Sequence, residues 1–221
     1  MVYYDKDGVQ KYFKFCEKSK KEIKWYAIQY NEIDNRLDSI GFWEISDGFE
    51  YEDAINNCGL TEKEKAYARI RWFRKAVSSI DEDIFCSNDN VTKNPNQYDK
   101  EYDFKINGIK FDLKSTAPPK NKTFNNTEEL VKFYYEEQSK GRRYSLNNRL
   151  FFVVMTENNT SGIVPRLMFN EKEQVIKRYC ENFSENDNIK FGNAVSQVLF
   201  MKVFEDFSVK YKVNDNDWKE L

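Results

Sequence analysis

Apolar and polar positions alternate most regularly along residues 101–116, EYDFKINGIKFDLKST. Successive side chains of a strand point to opposite faces, so Tyr102, Phe104, Ile106, Ile109, Phe111 and Leu113 share one face. Asp103, Lys105, Lys110, Asp112 and Lys114 share the other. Asn107-Gly108 between the two runs suits the left-handed positions of a two-residue type I′ turn. The pattern therefore predicts a β-hairpin with Ile106 opposite Ile109, Lys105 opposite Lys110, Phe104 opposite Phe111 and Asp103 opposite Asp112.

Elsewhere the pattern is mostly helical. Val9 to Cys16 predicts a short helix. Glu22 to Ile40 predicts a longer one, with Ile23, Tyr26, Ala27, Tyr30, Ile33, Leu37 and Ile40 at near-helical spacing and Gly41 as its stop. Thr61-Glu62-Lys63-Glu64 is a capping box ahead of a helix to about Ser79, whose stripe is Ala66, Ile70, Phe73, Ala76, Val77 and Ile80. Residues 83–100, rich in asparagine, read as a loop. Thr127 is placed to cap a helix from Glu128 to about Ser139, and Glu171 to Cys180 reads as a helix carrying Val175, Ile176 and Tyr179.

The unbroken apolar run LFFVVM at 150–155 reads as a central strand, buried on both faces. Residues 163–169 read as a further strand, with Pro165 favouring an edge or loop position. The stretch 193–204 is ambiguous in type and read as a strand near 198–204, and Asn214 to Asp217 read as surface. Phe42, Trp43, Phe49 and Tyr51 read as core anchors, with a partner surface or platforms for nucleobases as alternatives.

Composition narrows the chemistry. Phe 18 and Tyr 14 in 221 residues give ample material for a buried core. There is no histidine, which excludes Ser-His-Asp and Cys-His catalysis, histidine general bases and zinc deaminase sites. The four cysteines, Cys16, Cys58, Cys86 and Cys180, are widely separated and form no zinc pattern. The opening residues lack a secretory pattern and no run approaches a membrane-spanning length, so a cytoplasmic, reduced protein is expected. A net charge of -2 gives no global attraction to nucleic acid, although a local basic surface is sufficient for binding.

The polar face of the hairpin carries the candidate chemistry. Two carboxylates directly across a ladder stand roughly 5 Å apart at Cβ, and like charges placed so are destabilising. A divalent cation would relieve them, and oxygen ligands of this kind suit Mg²⁺, with Mn²⁺ as a substitute. Lys114 lies on the same face, placed to stabilise charge on a water or a phosphoryl group. The alternative is a solvated charged face with weak ion pairs.

An Asp followed about ten residues later by (Asp/Glu)-x-Lys on an adjacent strand resembles the PD-(D/E)xK nuclease superfamily, the restriction-endonuclease-like fold. Asp103 matches the first acid, and Asp112-Leu113-Lys114 matches the second acid, spacer and lysine. Tyr102 stands where the motif commonly has proline. The resemblance implies an α/β fold with an αβββαβ core and a mixed central sheet. It assigns the helix at 61–80, strands at 101–106, 109–116 and 150–156, the helix at 171–180 and a late strand to that core. Residues 1–60 are then an added N-terminal helical region and 61–221 the nuclease core with its C-terminal extension.

The implied activity is metal-dependent hydrolysis of DNA phosphodiesters, with Asp103 and Asp112 holding Mg²⁺ and Lys114 assisting. The helix before the first catalytic strand often supplies another acid in this family; Glu64 is the candidate, with Glu82 next. Ser115 or Thr116 matches a polar position after the lysine, and Thr116 shares the face of Lys114. The arginine cluster Arg142, Arg143 and Arg149, with Lys120 and Lys122, is placed to contact the phosphates of double-stranded DNA, a solvated loop being the ordinary alternative. A type II restriction endonuclease, possible as a homodimer, is the expected form. A repair, recombination or phage-associated nuclease and a non-catalytic protein-binding or inhibitor module are the alternatives.

Overall fold

The computed structural model describes residues 2–23, 31–96, 98–137 and 147–221. The chain is α/β and divides into two compact units, Met1–Ile80 and Asp81–Leu221. The division falls within a helix, twenty residues after the one expected from the capping box.

The first unit is helical: α1 (Lys6–Lys18), α2 (Asn31–Ser39), α3 (Gly48–Asn57) and the start of α4 (Glu62–Cys86). Asp5 caps α1 by accepting the Gly8 amide, and Asp47 caps α3 by accepting those of Phe49 and Glu50. The capping box forms as expected: the Thr61 amide donates to Glu64 Oε2 at 2.7 Å and the Glu64 amide to Thr61 Oγ1 at 3.4 Å. Tyr12, Tyr51, Trp72 and Phe73 form an aromatic core. At Gly48 a Cβ would stand 2.3 Å from the Tyr12 ring, so the close approach of α3 to α1 requires glycine there. Phe42 and Tyr51 are buried as anchors, whereas Trp43 and Phe49 are 45% and 43% exposed.

At the centre of this unit Glu52 accepts from Arg69 Nε and Nη2, both at 2.9 Å, from Tyr12 at 2.7 Å and from Lys21 at 2.8 Å. Burial alone would raise the Glu52 pKa, but these donors outweigh it and bring it down to about 2.

The second unit is built on one mixed eight-stranded sheet: β1 (Val91–Lys93), β2 (Phe104–Ile106), β3 (Ile109–Thr116), β4 (Arg149–Thr156), β5 (Ile189–Phe191), β6 (Ala194–Val203), β7 (Val209–Val213) and β8 (Lys219–Glu220). The spatial order is β1-β2-β3-β4-β6-β7-β8, with β5 also paired to β6. β4 is parallel to both β3 and β6, and every other pair is antiparallel. β4 is buried over seven of its eight residues, which is why its sequence shows no alternation.

Among the described residues, three α-helices complete the unit: α5 (Thr127–Glu137), α6 (Ile163–Arg166) and α7 (Phe169–Glu181). α5 covers one sheet face, where Leu130, Val131, Tyr134 and Tyr135 pack with Phe151, Val153, Val198 and Phe200. The last turns of α4 and α7 cover the other face. Phe85 stacks on Phe104 at 5.2 Å and meets Phe152 and Tyr179 edge-on. Among the described residues no helix is long and apolar enough to cross a membrane.

Several elements depart from the sequence pattern. α4 continues to Cys86 and β1 forms within the expected loop 83–100; the Asn88 side chain caps that helix by donating to the Ile84 and Phe85 carbonyls. Residues 163–166 form a helical turn with Pro165 inside its first turn, where the missing amide costs nothing. Asp215, Asn216 and Asp217 are exposed as expected, but Asn214 is buried and accepts the Val198 amide, and Asp215 accepts the Thr127 amide and hydroxyl, which ties the tail to α5. Asn126 rather than Thr127 caps that helix, accepting the Glu129 amide at 2.9 Å. Of the helix expected over Glu22 to Ile40, residues 24–30 lie outside the described residues.

Candidate active site

The hairpin forms in the expected register, Ile106 to Ile109, Lys105 to Lys110 and Phe104 to Phe111. Asn107 and Gly108 take φ values of 49° and 87°, the left-handed pair that a type I′ turn requires. The ladder stops there. Asp103 lies one residue before β2 and is not paired with Asp112 in the register.

Its amide instead donates to the Phe111 carbonyl at 2.9 Å, and its Oδ2 accepts the Leu113 amide at 2.6 Å. The carboxylate has taken the place of a ladder carbonyl. The preceding loop imposes this shift: the buried Asn94 donates its amide to the Asp103 carbonyl at 2.8 Å and its Nδ2 to the Tyr102 carbonyl at 2.9 Å. Asp103 therefore lies alongside the Asp112-Leu113 peptide, held by a backbone hydrogen bond.

Asp112 is held from two sides. Lys114, two residues on along the same face, donates to Asp112 Oδ1 at 2.5 Å. Arg149 arrives from the neighbouring parallel strand, in register with Asp112, with Nε 3.6 Å from Asp112 Oδ2. Its guanidinium lies 4.5 Å from the Tyr135 ring centroid, and the Tyr135 hydroxyl donates to the Asn147 carbonyl at 2.7 Å. Lys114 remains 35% exposed at its side chain and Asp112 15%.

Burial first, and then the charge of Asp112, raise the Asp103 carboxyl to about 6, against the opposing pull of the Leu113 amide and Lys114. Glu82, on the last turns of α4, adds to the upward push, so Glu82 shares the electrostatic neighbourhood of Asp103. Its carboxylate lies 3.3 Å from Lys93 Nζ, which also binds Asp83 at 2.7 Å. Glu64 is used differently: both of its oxygens are engaged, one by Thr61 and the other by Arg36 at 3.3 Å.

A dication fits part of this arrangement. Asp103 and Asp112 repel one another, and a cation held by both would relieve that repulsion. Among the described residues, however, no group of three or more acidic, cysteine or histidine side chains is positioned to hold a metal. The protein donors available are two carboxylates, the remaining positions falling to water and substrate oxygens.

Beneath the pair lies a buried network that the sequence reading missed. Ser115 donates to Asp81 Oδ2 at 2.8 Å, and Lys172 donates to Asp81 Oδ1 at 2.7 Å with both charges out of solvent. Burial lowers the Lys172 pKa, against the pull of Asp81. This joins α4, β3 and α7 next to Lys114. A signal was present, because Lys172 falls on the stripe of Val175, Ile176 and Tyr179, and Asp81 continues that of Phe73 and Val77. Thr116 borders the Tyr134 hydroxyl on the α5 face.

Of the expected phosphate contacts, Arg149 is 7% exposed and committed to the interior beside Asp112 and Tyr135. Lys120 and Lys122 are exposed, with Lys122 Nζ 4.1 Å from the Phe133 ring centroid. Arg142 and Arg143 lie outside the described residues. No known protein family matches this chain, and neither a curated protein nor a solved structure matches it.

Proposed function

We propose that the chain is a divalent-metal-dependent endodeoxyribonuclease, of the type II restriction form, with Asp103, Asp112 and Lys114 at its centre. The observation that carries this reading is the meeting of two carboxylates and one partly exposed amine at the middle of β3, with the Asp103 charge penalised by burial and by Asp112. The order α4, β1, β2, β3, α5, β4 supports it, being the αβββαβ order with elements different from those the sequence pattern suggested. β1 is the first strand, α5 the intervening helix and β4 the last strand.

Asp103 and Asp112 would hold the metal, most simply Mg²⁺. When bound, that ion supplies water activation and neutralises the scissile phosphate. The chain's own groups do the rest. The Leu113 amide fixes the Asp103 carboxylate, Lys114 hydrogen-bonds that of Asp112, and Arg149 adds positive charge beside it. Lys114 places positive charge where a phosphate or an attacking water would approach, a role that needs no deprotonation.

One observation favours a second reading, a non-catalytic binding module: Asp112 already has two cationic neighbours and Asp103 a backbone donor, so the cluster is partly neutralised without a metal. Cleavage of supercoiled and linear plasmid DNA in Mg²⁺, Mn²⁺ or chelator decides between them. Metal-dependent cutting is expected, falling about 10²-fold or more in Asp103→Ala, Asp112→Ala and Lys114→Ala with the circular dichroism spectrum retained. Absence of cutting by the wild type in either metal, or cutting that survives Asp112→Ala, rejects the nuclease.

A further inference from the structure

Away from the acid pair, on the same sheet face, a cleft of about 420 Å³ opens past the N-terminus of α5, at the carboxyl ends of β3, β4 and β6. Ligands of open α/β sheets commonly bind at such strand ends. Its floor is apolar, formed by Val153, Met155 and Phe200, and Trp218 stands at its edge, 36% exposed. Three lysines line it: Lys122, Lys202 and Lys212.

Alternation places Lys202 on the face of Phe200, and the register Phe200 to Lys212 brings Lys212 onto that face from β7. Lys202 Nζ lies 4.7 Å from the Trp218 ring centroid, and Lys212 Nζ lies 5.4 Å from that centroid and 5.2 Å from that of Phe200. Both ammonium groups are thus gathered around one indole.

The one carboxylate lining the cleft among the described residues is otherwise engaged. Asp215 lines the cleft, but both its oxygens accept from the Thr127 amide and Oδ1 also from its hydroxyl. Among the described residues, no carboxylate forms an ion pair with Lys122, Lys202 or Lys212. The Lys202 pKa is lowered by burial and by Lys212, with Glu157 opposing at longer range. Two ammonium groups that repel one another across an apolar floor are a site short of an anion.

We infer that this cleft binds a nucleoside monophosphate, its phosphate on Lys202 and Lys212 and its base against Trp218 and the apolar floor. The cavity size is that of a small-molecule site. An exposed aromatic face takes any base by stacking, so discrimination among bases is expected to be slight. The same chemistry is presented by a free nucleotide and by the phosphorylated end of a strand. The inference does not depend on the acid pair acting as a nuclease.

Isothermal titration calorimetry on the full chain tests it, with AMP, dTMP, a 5′-phosphorylated trinucleotide, adenosine and inorganic phosphate as separate titrants, without divalent metal. AMP and dTMP are expected to bind with similar affinity, at least about tenfold tighter than adenosine or phosphate, each of which supplies half of the contacts. Lys202→Gln with Lys212→Gln is expected to weaken AMP about tenfold or more, and Trp218→Ala to do likewise. Asp112→Ala is expected to leave it unchanged. Nuclear magnetic resonance of the Trp218 indole proton, assigned by its loss in Trp218→Ala, gives a readout on the unmodified protein and is expected to shift with AMP. A trinucleotide that binds more tightly than AMP identifies a strand end as the source, and one that binds more weakly identifies free nucleotide. Absence of AMP binding, phosphate binding as tightly as AMP, or an indole resonance that AMP leaves unmoved overturns the inference.

Discussion

Replacing Asp103 by Asn removes a charge that both burial and the neighbouring Asp112 penalise. The carboxyl ordinarily titrates at 3.8 and in the folded protein at about 6, so the folded state holds the proton more tightly than the unfolded chain. Stability from this group is complete below about pH 4, falls as pH rises from there to about 6, and stays reduced above it. The gap corresponds to a ceiling of about 3 kcal/mol at neutral pH; relaxation of Asp112 and Lys114 reduces it, and about 1–2 kcal/mol is expected. Asparagine keeps an oxygen for the Leu113 amide and loses the repulsion. Urea denaturation of both proteins at pH 4 and pH 7.5, in chelator, is the assay. Asp103→Asn is expected to match the wild type at pH 4 and exceed it by about 1–2 kcal/mol at pH 7.5. An equal difference at both pH values, or a loss at pH 7.5, would refute the account of Asp103 as a buried charge strained by its neighbour.

Three further outcomes follow from the packing. Lys172→Met leaves Asp81 buried and uncompensated and is expected to cost about 3–5 kcal/mol, with much of that recovered in the double variant with Asp81→Asn; additive losses in a double-mutant cycle would contradict the pairing. Glu52 has its pKa lowered to about 2, so its stabilisation is present above the ordinary carboxylate range, near 4.5, and is lost as pH falls through about 2. Glu52→Gln should therefore flatten the acid limb of thermal melting curves between those values. Gly48→Ala drives a methyl group into the Tyr12 ring and is expected to destabilise by about 1–3 kcal/mol, read as a lowered melting temperature; an unchanged one would show that α1 and α3 separate readily.

Periodicity alone determined the hairpin, its type I′ turn and its register, because these depend on near neighbours: alternation sets the faces and Asn107-Gly108 sets the turn. It likewise determined the capping box at Thr61 and the buried β4, and it placed Asp112 and Lys114 on one face. The position of Asp103 was decided elsewhere. Asn94, nine residues earlier, pulls the chain off the ladder, so the acid meets the Leu113 amide in place of facing Asp112. Arg149 could be read only as another member of a basic cluster until parallel pairing of β3 with β4 brought it to Asp112. The Asp81–Lys172 bond spans 91 positions, and the lysine cleft joins β6, β7 and the tail. Local spacing carries no record of which distant strands become neighbours, because that choice is made by the burial of whole faces during assembly of the sheet.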